Sequence, residues 1–367
     1  MSVEAIAECG DAEPILEPAL PIVDAHHHLW YQTEAAIAAL QTRDSITARS
    51  LAQTFCRYPK YLFDEFRVDL ESGHNICATV YNEAGAMYRA SGPPELRSVG
   101  EIEFVNGIAA MSASGNFGQV AICAGIVGGV DLRMGEDVER VLHAHIQAGG
   151  GRYRGIRTSA LYDEDPRIFG SGIGIPQLLK DDGFRAGFKY LQRLGLSFDA
   201  LLLEPQLPEL IDLARKFPDT QIVLNHVGGP VGVARYAGTW SERFFLWRER
   251  MRDLATCENV AVKLGGLGNP FGGFNSVSGT AQVTSEQLAQ EWRPHIEAAI
   301  DLFGANRCMF ESNFPVDSVV GSYAVVWNAF KRIVTGASQT EKNALFHRTA
   351  MRIYRLDIPQ PRLSETE

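Results

Sequence analysis

A chain of 367 residues, 46% hydrophobic and 21% charged, has the make-up of an ordinary globular protein and is long enough for one large α/β domain. Its net charge of −10 excludes a nonspecific nucleic-acid binder, which needs a basic face. No apolar run approaches the roughly 20 residues of a membrane span, so a membrane role is excluded too.

The first twenty residues carry Glu4, Glu8, Asp11, Glu13 and Glu17 and no basic side chain. They predict an acidic tail over 1–19, not a secretory or transit segment. Six scattered cysteines (Cys9, Cys56, Cys77, Cys123, Cys257 and Cys308) form no C-x-x-C pair, and Cys77, Cys123 and Cys308 fall in apolar runs that read as buried thiols. A cytoplasmic setting is expected.

A first strand runs from about Pro21 into His26-His27-His28. Strand alternation predicts Asp24, His26 and His28 on one face and His27 on the other. A long excursion follows over 31–73, then a second strand over 75–81 and another excursion over 82–118 whose helix starts near Gly100. A third strand spans 120–127. A helix over 135–148 stops at Gly149-Gly150-Gly151. Further strands are predicted over 153–157, 196–203, 221–226, 259–264 and 307–311. Helices are predicted over 176–194, 207–217, 241–256 and 285–303, with one or two more ending near Tyr354.

Eight apolar strands alternating with helices predict a (β/α)8 TIM barrel over 20–356, with long loops after strands 1 and 2 and a short tail over 357–367. A doubly wound sheet is the alternative, but Gly266-x-Gly268 has Phe271 where its third glycine belongs. Neither a G-x-S-x-G elbow nor an H-E-x-x-H occurs.

A barrel places its active site at the C-terminal strand ends. The polar residues there are His26 and His28, Arg157, Glu204, His226, Lys263, and Asn313 with Asp317. Each has a plainer reading: interior ion pairs for Arg157 and Lys263, a loop carboxylate for Glu204, a helix cap for Asp317. Trp30, Tyr81, Tyr88 and Phe314 read as pocket walls or as packing. His74, His143, His145, His295 and His347, on loops and helices, read as surface residues.

Five segments then carry a resemblance: Asp24–Trp30, Arg154–Arg157, Asn225–Pro230, Lys263–Gly266 and Ser312–Asp317. Together they resemble the amidohydrolase-related (amidohydrolase 2) family, nearest the branch of lactonases and 2-pyrone-4,6-dicarboxylate hydrolases. The resemblance spans about residues 20–355. It implies a barrel hydrolase acting on lactones, esters or amides, and maps the family's H-x-H onto His26 and His28 and its strand-six histidine onto His226. Two positions depart from the pattern: Glu204 stands for a histidine, and Asn313 for the aspartate that is usually ligand and base.

The expected reaction is therefore water attack on the carbonyl of a small, carboxylate-bearing lactone or related ester or amide. Arg157 and Lys263, with Trp30 and Tyr81, would bind the substrate. His26 and His28 would polarise the carbonyl, and Asp317, Glu204 or His226 would take the proton, with Asn313 orienting the water. Asparagine accepts no proton near neutrality and ligates metals weakly, which counts against a binuclear site, and the resemblance to a branch with members that work without metal implies an optional or absent metal. A single zinc on His26, His28 and His226 is the alternative. A metal-dependent decarboxylase and an inactive binding protein are the competing functions, and a homo-oligomer is compatible with such a barrel.

Overall fold

The computed structural model describes residues 13–278 and 283–358. Cys9, most of the predicted N-terminal tail and the end of the C-terminal one lie outside them. Eight strands form one parallel sheet: β1 (Pro21–His27), β2 (Asn75–Asn82), β3 (Ala121–Gly129), β4 (Tyr153–Ser159), β5 (Ser197–Leu201), β6 (Ile222–Leu224), β7 (Val260–Leu264) and β8 (Cys308–Phe310). Each strand pairs with the next in sequence. The seam between β8 and β1 closes just past the end of β8. There Asn313 N donates to His26 O at 2.9 Å and His28 N to Phe314 O at 2.8 Å, and His27 bridges Phe314. Closure removes both sheet edges.

The excursion after β1 contains a two-residue ribbon, Trp30–Tyr31 against Lys60–Tyr61, and helices α1 (Glu34–Gln41), α2 (Ile46–Arg57) and α3 (Phe63–Leu70). Helix α2 crosses the C-terminal strand ends and packs on the loops that follow β4, β7 and β8, where Arg57 donates to Ser318 O at 2.9 Å. Then come α4 (Val99–Ala113), α5 (Val138–Ala148), α6 (Asp182–Arg193), α7 (Leu207–Lys216), α8 (Trp240–Ala255), α9 (Ser285–Phe303) and α10 (Tyr323–Ile333), one after each of β2 to β8. Side-chain caps from Asp181, Thr284 and Ser322 set the starts of α6, α9 and α10. Among the described residues no helix is long and apolar enough to cross a membrane.

Burial follows two shells. The larger packs the outer strand faces against the helices. The smaller fills the barrel with Val23, Ala25, Ala78, Val80, Val127, Val223, Ala261 and Met309, plugged from below by Ile353, Tyr354 and Leu356. One expectation fails at the first strand. Asp24 accepts from Ser312 Oγ at 2.6 Å and from Tyr323 OH at 3.0 Å, and Tyr323 in turn packs on Phe66, which stacks on His27. Asp24 thus faces the outer shell with His27 and not the barrel axis with His26. The cause is a bulge: Asp24 pairs with Thr79 but His27 with Tyr81, so β1 carries one extra residue that shifts its phase.

Candidate active site

Period-two alternation places a polar layer directly above the apolar barrel filling. Two residues beyond Val80, Val223, Ala261 and Met309 stand Asn82, Asn225, Lys263 and Glu311. Asp199 and Arg157 enter the same layer from β5 and β4. All six are buried, and Arg157, at 8% exposure, is the most open. The layer therefore reaches solvent on the Arg157 side.

His26 and His28 converge as the spacing predicts, their Nε2 atoms 3.1 Å apart. His28 Nδ1 lies 2.9 Å from Asn82 O and donates its proton there, which leaves Nε2 as an acceptor. His26 stands between two cations, with Lys263 Nζ 3.1 Å from Nδ1 and Arg157 Nη1 3.2 Å from Nε2. Burial first, and then the charge of Lys263, holds its pKa well below the ordinary imidazole range. Nδ1 of His26 thus faces Lys263 Nζ and, at 2.9 Å, Glu311 Oε2, while its Nε2 faces Arg157 Nη1 and His28 Nε2. Burial and the charge of Arg157 hold His28 low as well.

Lys263 is fully buried and spent on the floor of the site. It ion-pairs with Asp199 Oδ2 at 2.8 Å and donates to Asn82 Oδ1 at 3.1 Å. Asp199 Oδ2 also accepts from Tyr354 OH at 2.8 Å and Asn225 Nδ2 at 3.1 Å. Of the plainer alternatives, the interior ion pair is what Lys263 forms. Arg157 is gripped from its outer side, Nε donating to Glu83 Oε1 at 2.9 Å and Nη2 to Glu83 O.

His226 projects from the turn after β6 with a positive φ of 53°. Its Nδ1 donates to Glu311 Oε1 at 2.7 Å, and its backbone N reaches the same oxygen at 3.2 Å. This fixes the tautomer and leaves Nε2 as the acceptor. The loop after β7 makes room for the pair: a Cβ on Gly266 would fall 2.0 Å from His226 Nδ1, and one on Gly265 2.5 Å from Glu311 Cγ.

Asn313 lies at the seam, and its Nδ2 donates to Asp317 Oδ1 at 2.7 Å. Gly268 N donates to Asp317 Oδ2 at 3.2 Å, so Asp317 holds two neighbouring loops and is no helix cap. Burial pushes its carboxyl up to about 8 against those hydrogen bonds.

Three predicted site residues do not join the layer. Glu204 turns to α8, where its two oxygens are taken by Arg243 and Arg250. Tyr81 faces the outer shell against His27, its hydroxyl donating to Glu101 at 2.9 Å; its neighbour Asn82 is the one that faces inward. Trp30 is buried against His28, ring centroids 6.2 Å apart, and donates to Tyr58 O at 2.8 Å, so it braces the histidine without lining an open pocket. Of the five histidines read as surface residues, His74, His145 and His295 are buried, held in the outer shell by neighbours such as Ser98 for His145 and Trp247 for His295. Of the three predicted buried thiols, Cys77 is only half-buried.

Sequence reasoning missed Glu311, Asp199, Asn82 and Glu83. Glu311 and Asp199 sit at inward positions of strands already recognised, where alternation would have found them, and Asn82 lies one residue past the predicted end of its strand.

The donor chemistry fits a single divalent ion. Donor atoms of His26, His226 and Glu311 lie within 4.8 Å of one another, and Glu311 Oε2, buried and 2.9 Å from His26 Nδ1, accepts no hydrogen bond among the described residues. Nitrogen and carboxylate donors of this kind suit zinc or manganese.

Comparison with known proteins places this geometry. A family model described as amidohydrolase matches residues 23–356. The uncharacterized protein y4mH of Sinorhizobium fredii is 35% identical over 338 residues, covering 92% of this chain and 99% of that one. An L-fucono-1,5-lactonase of Burkholderia multivorans is 30% identical over 237 residues, 64% of this chain and 73% of that one. Among solved structures, an amidohydrolase from Burkholderia multivorans with bound zinc superposes with a TM-score of 0.68 at 25% identity, covering 92% of this chain and 99% of that one. A barrel with a histidine-rich mouth, matched by that model along nearly its whole length, belongs to the amidohydrolase family, and the protein is an enzyme of it.

Proposed function

We propose that the enzyme is a lactonase in which His226 is the general base and Arg157 the oxyanion donor. The observation that carries this reading is the buried His226–Glu311 pair at 2.7 Å, standing in one layer with the Arg157 guanidinium, whose Nη1 points inward to His26. A carboxylate on Nδ1 fixes the tautomer and the direction of the opposite nitrogen. Water adds to the carbonyl carbon while its proton passes to His226 Nε2. The charge that develops on the carbonyl oxygen is met by Arg157 Nη1 in a water-poor site. The ring C–O bond then breaks, and His226 returns the proton to the ring oxygen, giving the hydroxy acid. Asn313, steadied by Asp317, orients the water.

A divalent ion held by His26, His226 and Glu311 would supply Lewis-acid polarisation of the carbonyl. The chain itself already presses two fixed cations, Lys263 and Arg157, on the two nitrogens of His26.

The substrate is read as a neutral, hydroxyl-bearing lactone. Two of the three guanidinium nitrogens of Arg157 are taken by Glu83, and Lys263 by Asp199. The expected grip on a substrate carboxylate would have to displace those partners, whereas hydroxyl groups match the rim carboxylate of Glu83. The similarity to L-fucono-1,5-lactonases runs in the same direction.

The test is hydrolysis of L-fucono-1,5-lactone, followed by acid release, beside an assay for carbon dioxide from aromatic carboxylic acids. Acid release with no carbon dioxide is expected, while the reverse would establish the decarboxylase. The His226→Gln variant should lose roughly 100-fold or more in kcat.

A further inference from the structure

Arg157 does not hold itself in place. It leans on Glu83, and Glu83 begins a turn whose backbone is held from below by one buried carboxylate. That carboxylate is Glu101, fully buried in the first turn of α4. Its Oε1 accepts three hydrogen bonds at 2.9 Å, from Ala84 N, Ala86 N and Tyr81 OH. The other oxygen, also buried, has no partner among the described residues. Such a group is a costly thing to keep inside a protein core.

Its surroundings are shaped for this contact. A Cβ on Gly100 would fall 2.5 Å from Met87 O and 2.8 Å from Arg89 N, so a glycine beside Glu101 lets the turn lie directly on α4. Met87 takes a positive φ of 54° to follow that path, and Arg89 ties the far end of the turn to Glu103. The near end is Glu83, whose N donates to Val127 O at 2.9 Å and whose side chain and carbonyl together receive Arg157.

We propose that Glu101 is the positioning residue of Arg157, acting through the two backbone amides of the 84–86 turn and the Glu83 clamp. The inference rests on the reading of Arg157 given above, but its physical core is a coupling between two buried groups that can be measured without a substrate.

The experiment follows the side-chain Nε–H resonance of Arg157, assigned by its loss in Arg157→Lys. In the parent protein the proton is bonded to Glu83 and is expected to be ordered and slow to exchange. Glu101→Ala should broaden or shift it, and Glu101→Gln, which keeps a carbonyl acceptor for the two amides, should restore it. Should Glu101→Ala fail to fold, Glu83→Ala breaks the same clamp without touching the buried carboxylate and should release the resonance likewise. An Arg157 signal unchanged in folded Glu101→Ala, or in Glu83→Ala, overturns the proposal.

On L-fucono-1,5-lactone, Glu101→Ala should lower kcat by about 10- to 100-fold with KM nearly unchanged, the mark of a donor misplaced for the transition state. The double variant Glu101→Ala/Arg157→Ala should be no slower than Arg157→Ala alone, because both changes remove one function. Additive losses contradict the proposal. Full activity in Arg157→Ala would sink the oxyanion reading instead, while the resonance would still decide the coupling.

Discussion

Gly266 leaves no room for a side chain, since the position of its Cβ is already occupied by the His226 ring, with Nδ1 at 2.0 Å and Cγ at 2.2 Å. Its φ of +65° adds to the strain of any substitution. Gly266→Ala should therefore push His226 off Glu311 and abolish most hydrolysis, and a crystal structure of the variant should show the broken 2.7 Å contact. Asp317 gives a prediction in pH. Its folded carboxyl is raised to about 8 by burial, against an ordinary aspartate's 3.8. Between those values the folded chain holds a proton that the unfolded chain has released. Stability conferred by this group is therefore complete at acid pH and is lost as pH rises through about 8. Thermal melting of Asp317→Asn across that window should fall less steeply than that of the parent. An equal slope would show that Asp317 does not titrate there.

At the scale of elements, the strands were legible because parallel strands buried on both faces read as short apolar runs. Helix α9 was placed at its observed bounds, and the structure shows Thr284 capping it. The phase within a strand was less legible. The bulge in β1 that turns Asp24 outward leaves no local signature, being set by pairing with β2 and by closure against Ser312. Glu204 looked like a strand-end catalytic carboxylate because its partners, Arg243 and Arg250, are some forty residues away on α8. Glu311 was passed over for Asn313, although its position two residues past inward-facing Met309 already aimed it at the axis. The Lys263–Asp199 pair shows what such a layer costs to disturb. Asp199→Asn would leave a buried ammonium with only neutral partners, and urea denaturation should register a loss of about 3–5 kcal/mol. Glu204→Gln should by contrast leave the pH profile of hydrolysis unchanged, because it touches α8 and not the histidines.

Across the whole molecule, the barrel brings strand ends separated by up to nearly 300 residues into one polar layer, floors it with an apolar plug and roofs it with α2. Two buried cations, Lys263 and Arg157, flank His26, and the His226–Glu311 pair stands beside it. The measurement that tests this account most directly is the metal content of the purified protein, paired with hydrolysis of L-fucono-1,5-lactone before and after exhaustive chelation. The account predicts that hydrolysis persists in protein shown to be metal-free and disappears in His226→Gln. Loss of activity on removing a stoichiometric zinc, with recovery on its return, would contradict it and make His26, His226 and Glu311 ligands.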